Sequence, residues 1–194
     1  MTSDMNRKEF LRRTGLGAAA AATLPAFLAT DAALGQHGHG GGARVYDFVS
    51  FSQAGPTHGI AQPRIGMRGC GPFSETEGTV SGGGTFVFFD NALPVPKPLI
   101  LTGRWQPTTF VGYDMKGLPN YGTIQPAILE ILVDVEGIGS GLTMELICNV
   151  GPAGLMTGEE EGWKLFGTPY GDFVPLSPPV GITHLSAPGA TTPF

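Results

Sequence analysis

Ala127-Ile128-Leu129-Glu130-Ile131-Leu132-Val133-Asp134-Val135-Glu136 and Leu142-Thr143-Met144-Glu145-Leu146-Ile147-Cys148-Asn149-Val150 are the stretches that decide the fold. In the first, Ala127, Leu129, Ile131, Val133 and Val135 hold the odd positions, and Glu130, Asp134 and Glu136 fall on even ones. In the second, Leu142, Met144, Leu146, Cys148 and Val150 alternate with Thr143, Glu145, Ile147 and Asn149. Successive side chains of a strand point to opposite faces, so a period of two predicts two strands, each with one buried face. The link between them, Gly137-Ile138-Gly139-Ser140-Gly141, is short and glycine-rich, which suits a hairpin.

Outward from this hairpin, shorter apolar runs mark further strands at Arg44–Ser52, Thr85–Asp90, Leu99–Trp105, Thr108–Tyr113, Trp163–Gly167 and Gly181–Leu185. Phe86-Val87-Phe88-Phe89 is continuously apolar, as expected of a strand covered on both faces. Pro94, Pro96 and Pro98 forbid a central strand before Leu99. Gly82-Gly83-Gly84 precedes a strand and reads as a turn or bulge, and Gly66–Pro72 reads as a flexible loop. Beyond residue 35 no segment carries a helical period. The chain has 31 glycines and 17 prolines, and between them the apolar residues stay patterned, so these residues punctuate strands rather than signal disorder. The expected fold is an all-β single domain, a β-sandwich or small β-barrel of about eight strands.

The N-terminus carries an address. Asn6-Arg7-Lys8-Glu9-Phe10-Leu11-Arg12 is followed by Arg13, by an alanine-rich apolar stretch from Leu16 to Leu28, and by the small residues Ala32-Ala33-Leu34-Gly35. This order of basic, apolar and small-residue regions is that of an export signal. Arg7, Lys8, Phe10, Leu11, Arg12 and Arg13 resemble the twin-arginine consensus, with Lys8 standing where the second arginine is expected. The resemblance implies export in the folded state through the twin-arginine translocase, to the periplasm or beyond. An ordinary secretory signal carrying arginines is the other reading. The apolar stretch is shorter than the roughly 20 residues needed to span a bilayer, so no stable membrane anchor is expected after cleavage. Ala33 and Gly35 suit cleavage after Gly35, which divides the chain into a signal peptide at 1–35, a Gly/His-rich linker at 36–43 and the all-β domain at 44–194.

Residues 36–194 hold seven Lys and Arg against thirteen Asp and Glu, a net charge of −6. An acidic domain without a basic stripe is a poor ligand for nucleic acid or anionic lipid.

Cys70 and Cys148 are the only cysteines, and export permits a disulfide. The alternation points Cys148 inward, and the expected loop around Cys70 is free to reach it, so a bond between them is expected. The alternative is two unrelated thiols, with Cys148 filling the core. His37 and His39 lie at the new N-terminus, where two imidazoles and an amine can bind copper or nickel. Cleavage after Leu34 would place His37 third, for an amine–amide–imidazole chelate. Cleavage after Gln36 would make it first, as in the copper brace of polysaccharide oxygenases. The competing reading is a polar linker, and no cofactor other than copper is indicated. His58 and His184 are isolated.

Glu159-Glu160-Glu161 reads as a solvated run, and Glu75, Glu77, Glu130 and Glu145 offer no distinguishable acid–base pair. There is no Gly-x-Ser-x-Gly elbow, no phosphate-binding glycine loop and no calcium loop. Trp163, Phe166, Tyr170 and Phe173 follow the acidic run. Trp163 and Tyr170 are candidates for stacking on a ligand, against the alternative that this cluster plugs one end of the barrel or sandwich. The sequence thus points to an exported all-β binding or structural module without evident catalytic machinery and with an unidentified ligand. The alternatives are a copper-dependent oxidative enzyme and a barrel-type isomerase or hydrolase.

Overall fold

The computed structural model describes residues 43–117, 123–149 and 157–189. Arg7, Lys8, Phe10, Leu11, Arg12, Arg13, His37 and His39 lie outside the described residues. Ten strands follow in order: β1 Arg44–Gln53, β2 Pro63–Ser74, β3 Thr79–Val80, β4 Gly83–Asp90, β5 Leu99–Met115, β6 Ala127–Val135, β7 Gly139–Cys148, β8 Gly162–Phe166, β9 Val174–Pro175 and β10 Gly181–Leu185. They form one sheet in the order β10-β1-β2-β4-β5-β6-β7-β8, with β3 paired to β2 and β9 to β1. The eight-strand path curls into a nearly closed barrel, so the fold is all-β and barrel-shaped.

The β6–β7 hairpin is built as its alternation requires. Leu129 faces Leu146, Ile131 faces Met144 and Val133 faces Leu142 across the pair, and all six side chains are buried in the core. On the outer face Glu130 stands opposite Glu145, a destabilising like-charge pair. Lys164, opposite Glu145 on β8, relieves it with an ion pair at 3.1 Å. Aromatic rings from other strands fill the rest of the interior: Tyr46 and Phe48 from β1, Phe73 from β2, Phe86 and Phe88 from β4, and Trp105 from β5. Trp105 lies 5.6 Å from the ring of Phe48, and its indole N–H donates to the Arg68 carbonyl at 3.0 Å.

Two expectations are corrected here. Residues 66–72 are not a loop but the body of β2, paired along its length with β1 and β4. The glycines are there because neighbours occupy the space of a side chain. A Cβ on Gly69 would lie 2.7 Å from the Gly83 carbonyl and closer still to the Trp105 ring. The expected disulfide is also absent. Cys70 shares the outer face of the sheet with its cross-strand neighbour Asp47, whereas Cys148 is buried opposite Ala127. Strands β4, β5 and β6 separate β2 from β7 in the sheet, so the sulfurs sit on opposite faces and far apart.

The two expected strands at Leu99–Trp105 and Thr108–Tyr113 are one, β5, of 17 residues. Register shifts between Pro107 and Thr109 and between Phe110 and Gly112 absorb the proline, which cannot donate to a ladder.

The barrel closes at a seam between β8 and β1 with β10, and side chains do much of the closing. The Ser52 hydroxyl donates to the Trp163 carbonyl at 2.5 Å, and the Trp163 indole N–H donates to the Ser50 carbonyl at 3.2 Å. The Thr183 hydroxyl donates to the Gly162 carbonyl at 3.2 Å. Among the described residues, Phe173, just before β9, supplies the backbone bonds across the gap, exchanging two with Leu165.

Candidate functional site

The two ends of the barrel differ in chemistry. At the end holding the β1–β2 and β8–β10 connections, aromatic residues form a plug. The Tyr170 ring lies 4.8 Å from that of Phe88, Phe173 packs edge-on against Phe88 at 6.0 Å, and His58 stands edge-on to Tyr170 at 6.0 Å. His58 also bonds the Pro169 carbonyl through Nε2 at 2.9 Å.

At the opposite end β1 and β6 begin and β2, β5, β7 and β10 finish, and polar groups converge. Arg44, the first residue of β1, is anchored there, with its side chain only 12% exposed. Its Nη1 donates to Gln125 Oε1 at 2.6 Å, to the Ser186 carbonyl at 3.4 Å and to the Tyr113 hydroxyl at 3.5 Å. The guanidinium carbon lies 4.6 Å from the centre of the Tyr113 ring, a cation–π contact. Tyr113 donates its hydroxyl to the same Gln125 oxygen at 3.1 Å, and Gln125 Nε2 donates to the Gly117 carbonyl at 3.1 Å. Phe73 packs on Tyr113 at 5.2 Å and stacks on Phe110 at 6.4 Å, giving the polar cluster an aromatic floor.

Electrostatics decide what this cluster can do. Burial, opposed by the Arg44 charge and reinforced by Cys148 and Glu75, pushes the Tyr113 phenol up to about 12. At neutral pH it is therefore a hydrogen-bonding group and not a base. Among the described residues the carboxylate near Arg44 is that of Glu75, at 3.8 Å, and its side chain is 53% exposed. Such a long, wet ion pair contributes little. A ligand carboxylate can displace Glu75 and meet the guanidinium fork in bidentate fashion.

A second polar feature lies on the seam. Glu161 precedes β8, and its carboxylate accepts the backbone N–H of Asn149 from the end of β7 and that of Thr183 from β10, the latter at 2.6 Å. Burial, only partly offset by these two amides, raises its carboxyl to about 7. Its neighbours in the acidic run are engaged elsewhere. Glu159 pairs with Lys164 at 3.0 Å, and Glu160 accepts from Ser177 at 2.8 Å.

The described residues among the candidates named from sequence do not gather into one site. Trp163 is fully buried at the seam, Tyr170 is part of the plug, Cys70 lies on the outer face and Cys148 is in the core. His184 is buried on β10 opposite Asp47. Among the described residues no group of three or more His, Cys, Asp or Glu is placed to hold a metal ion. Arg44, Tyr113 and Gln125 were not visible as a site because they are 69 and 81 positions apart. Only the barrel's closure brings them together. Comparison with protein-family models, with curated proteins and with solved structures found no match to this chain.

Proposed function

We propose that this chain is an exported binding module that takes a small organic carboxylate at the Arg44 end of the barrel. The observation that carries this reading is the largely covered guanidinium of Arg44, set on an aromatic floor and countered, among the described residues, by the exposed, distant Glu75. Barrel mouths are a favoured place for small ligands, and a few convergent polar groups over an apolar lining are what such sites require. No nucleophile stands beside a base within this cluster, which favours binding over catalysis. The interior is filled by side chains, so the ligand sits at the mouth and not within the barrel.

Benzoate, a carboxylate on an aromatic ring, is the probe. Its titration should shift the amide resonances of Arg44, Tyr113 and Gln125, and Arg44→Gln should abolish the shifts while the dispersed amide spectrum of the rest of the barrel persists. Saturable shifts confined to other residues, or none at millimolar benzoate, would refute the assignment. Export itself rests on Arg7, Lys8, Phe10 and Leu11. Replacing Arg7 and Lys8 together should leave precursor in the cytoplasm, and undiminished export without the twin-arginine translocase would rule that route out.

A further inference from the structure

We propose that the outer face of the barrel around β10, β1, β4 and the start of β5 is a docking surface for a bilayer rich in anionic phospholipid. Among the described residues ten large apolar side chains are exposed. All but Val111 and Met115 lie on this side, so the exposure is a patch and not scatter. Part of it is a continuous track. Ile182 of β10 stands opposite Val49 of β1, and Phe51 follows Val49 on the same face. The Phe51 ring lies 6.4 Å from that of Phe89, which stands opposite Leu99. Gly66 makes the track possible. β2 runs between β1 and β4, and the Phe51 ring lies where a side chain of β2 would be: a Cβ on Gly66 would stand 2.6 Å from Phe51 Cε1. Beyond Phe89 the β4–β5 connection adds Ala92-Leu93-Pro94-Val95-Pro96, all exposed and uncharged, with Val95 at 85%.

Charge complementarity identifies the occupant. Arg64, Arg68, Lys97 and Arg104 border the track, four of the seven Lys and Arg beyond residue 35. Arg64 stands opposite Phe89, Arg68 opposite Val49, and Arg104 one strand further on, opposite Thr85. Glu130, Asp134 and Glu145 face outward on β6 and β7, the other arc of the sheet. Asp47, beside Arg68, and Glu136, which accepts the Arg104 amide, sit at the margins of the track. The net charge of −6 thus conceals a face that is basic and apolar. A second copy docked through this face would set the same cations against each other. An anionic bilayer rewards both features, by apolar burial and by attraction at the headgroups. The β4–β5 connection also suits lipid, whose tails offer no hydrogen bonds. Pro94, Pro96 and Pro98 carry no N–H. Asp90 accepts the Ala92 amide at 3.0 Å, and the Lys97 ammonium donates to the Asn91 and Leu93 carbonyls at 2.8 and 2.7 Å.

Co-sedimentation of the signal-cleaved protein with lipid vesicles tests the surface. Vesicles of phosphatidylglycerol and phosphatidylcholine in equal parts should carry the protein down, and raising the salt should weaken binding. Val95→Asp should weaken it at least about tenfold, through lost apolar burial. Arg104→Gln should weaken it about fivefold, through one lost headgroup attraction. Val111→Asp, outside the patch, should bind as the wild type does. Should Val95→Asp fail to fold, Arg104→Gln and the comparison with pure phosphatidylcholine vesicles decide alone. Several results would overturn the proposal: no sedimentation with the anionic vesicles, equal binding to pure phosphatidylcholine, or equal losses in Val111→Asp and Val95→Asp. A lipid-free dimer that Val95→Asp dissociates would assign the face to a second copy and overturn it as well.

Discussion

Replacing Gly69 with alanine adds one methyl group at the point where β2 passes beneath Trp105. On the native backbone that carbon would stand 2.7 Å from the Gly83 carbonyl oxygen and 3.0 Å from Trp105 Cε2. Ordinary contacts begin near 3.4 Å, so either the indole or the β4 backbone must retreat. Neither moves without loss. Trp105 is 2% exposed, packs against Phe48 and Tyr46, and is tied to the Arg68 carbonyl. Gly83 is laddered to Cys70. Overpacking of a tight core typically costs about 1–3 kcal/mol, and a clash with both a ring and a backbone belongs at the upper end. In a domain of this size about 3 kcal/mol corresponds to a fall in Tm of about 6–12 °C. The control is Gly55→Ala, where nothing lies within 4 Å and the change should be neutral or slightly stabilising. Thermal and urea melts of the two variants side by side decide it. If Gly69→Ala melts within 2 °C of Gly55→Ala, the packing of β2 under Trp105 is wrong, and residues 66–72 behave as the loop that their composition suggests.

Two further predictions concern the sheet. Leu146→Ala should lower stability by about 2–5 kcal/mol, since Leu146 is fully buried opposite Leu129. Glu145→Ala, which loses a partly exposed ion pair to Lys164, should cost about 1 kcal/mol or less, and equal effects in urea melts would invert the face assignment. Thiol titration of the unfolded, unreduced protein should count two thiols, and a count of zero would restore the Cys70–Cys148 bond.

How much the sequence showed depended on which residues carried each feature. The β6–β7 hairpin was legible because its apolar alternation is unbroken over both strands and its turn is glycine-rich. β2 was not, because Gly66, Gly69 and Gly71 lack the side chains that would announce alternation, and only the rings and carbonyls packed against them explain their presence. β5 was legible in two halves, since Pro107 interrupts the pattern that bulges then carry through. Cys148 was correctly read as inward. Its expected partner failed because the face of Cys70 depended on the missed strand. The aromatic cluster around Trp163 split, with Trp163 buried at the seam and Tyr170 and Phe173 packed on Phe88 in the plug.

Why a barrel and not a sandwich was beyond the alternation pattern has a physical reason. Both architectures use the same strands with one buried face, and they differ only in whether the first and last strands meet. Here that meeting is made by Ser52, Trp163, Glu161 and Thr183. Three of these are polar, and a pattern-based reading assigns them to turns or to the outer face. Ser50 and Ser52 hold inward positions of β1, after Tyr46 and Phe48, where apolar residues would be expected. Ser52 is polar because a seam without a full backbone ladder leaves the Trp163 carbonyl to be satisfied by a hydroxyl, whereas Ser50 serves the seam through its backbone carbonyl, which accepts from the Trp163 indole. The same substitution of side chains for a ladder places a carboxyl in a buried setting at Glu161. Closure of the fold and the burial of a carboxyl at its seam thus share one cause.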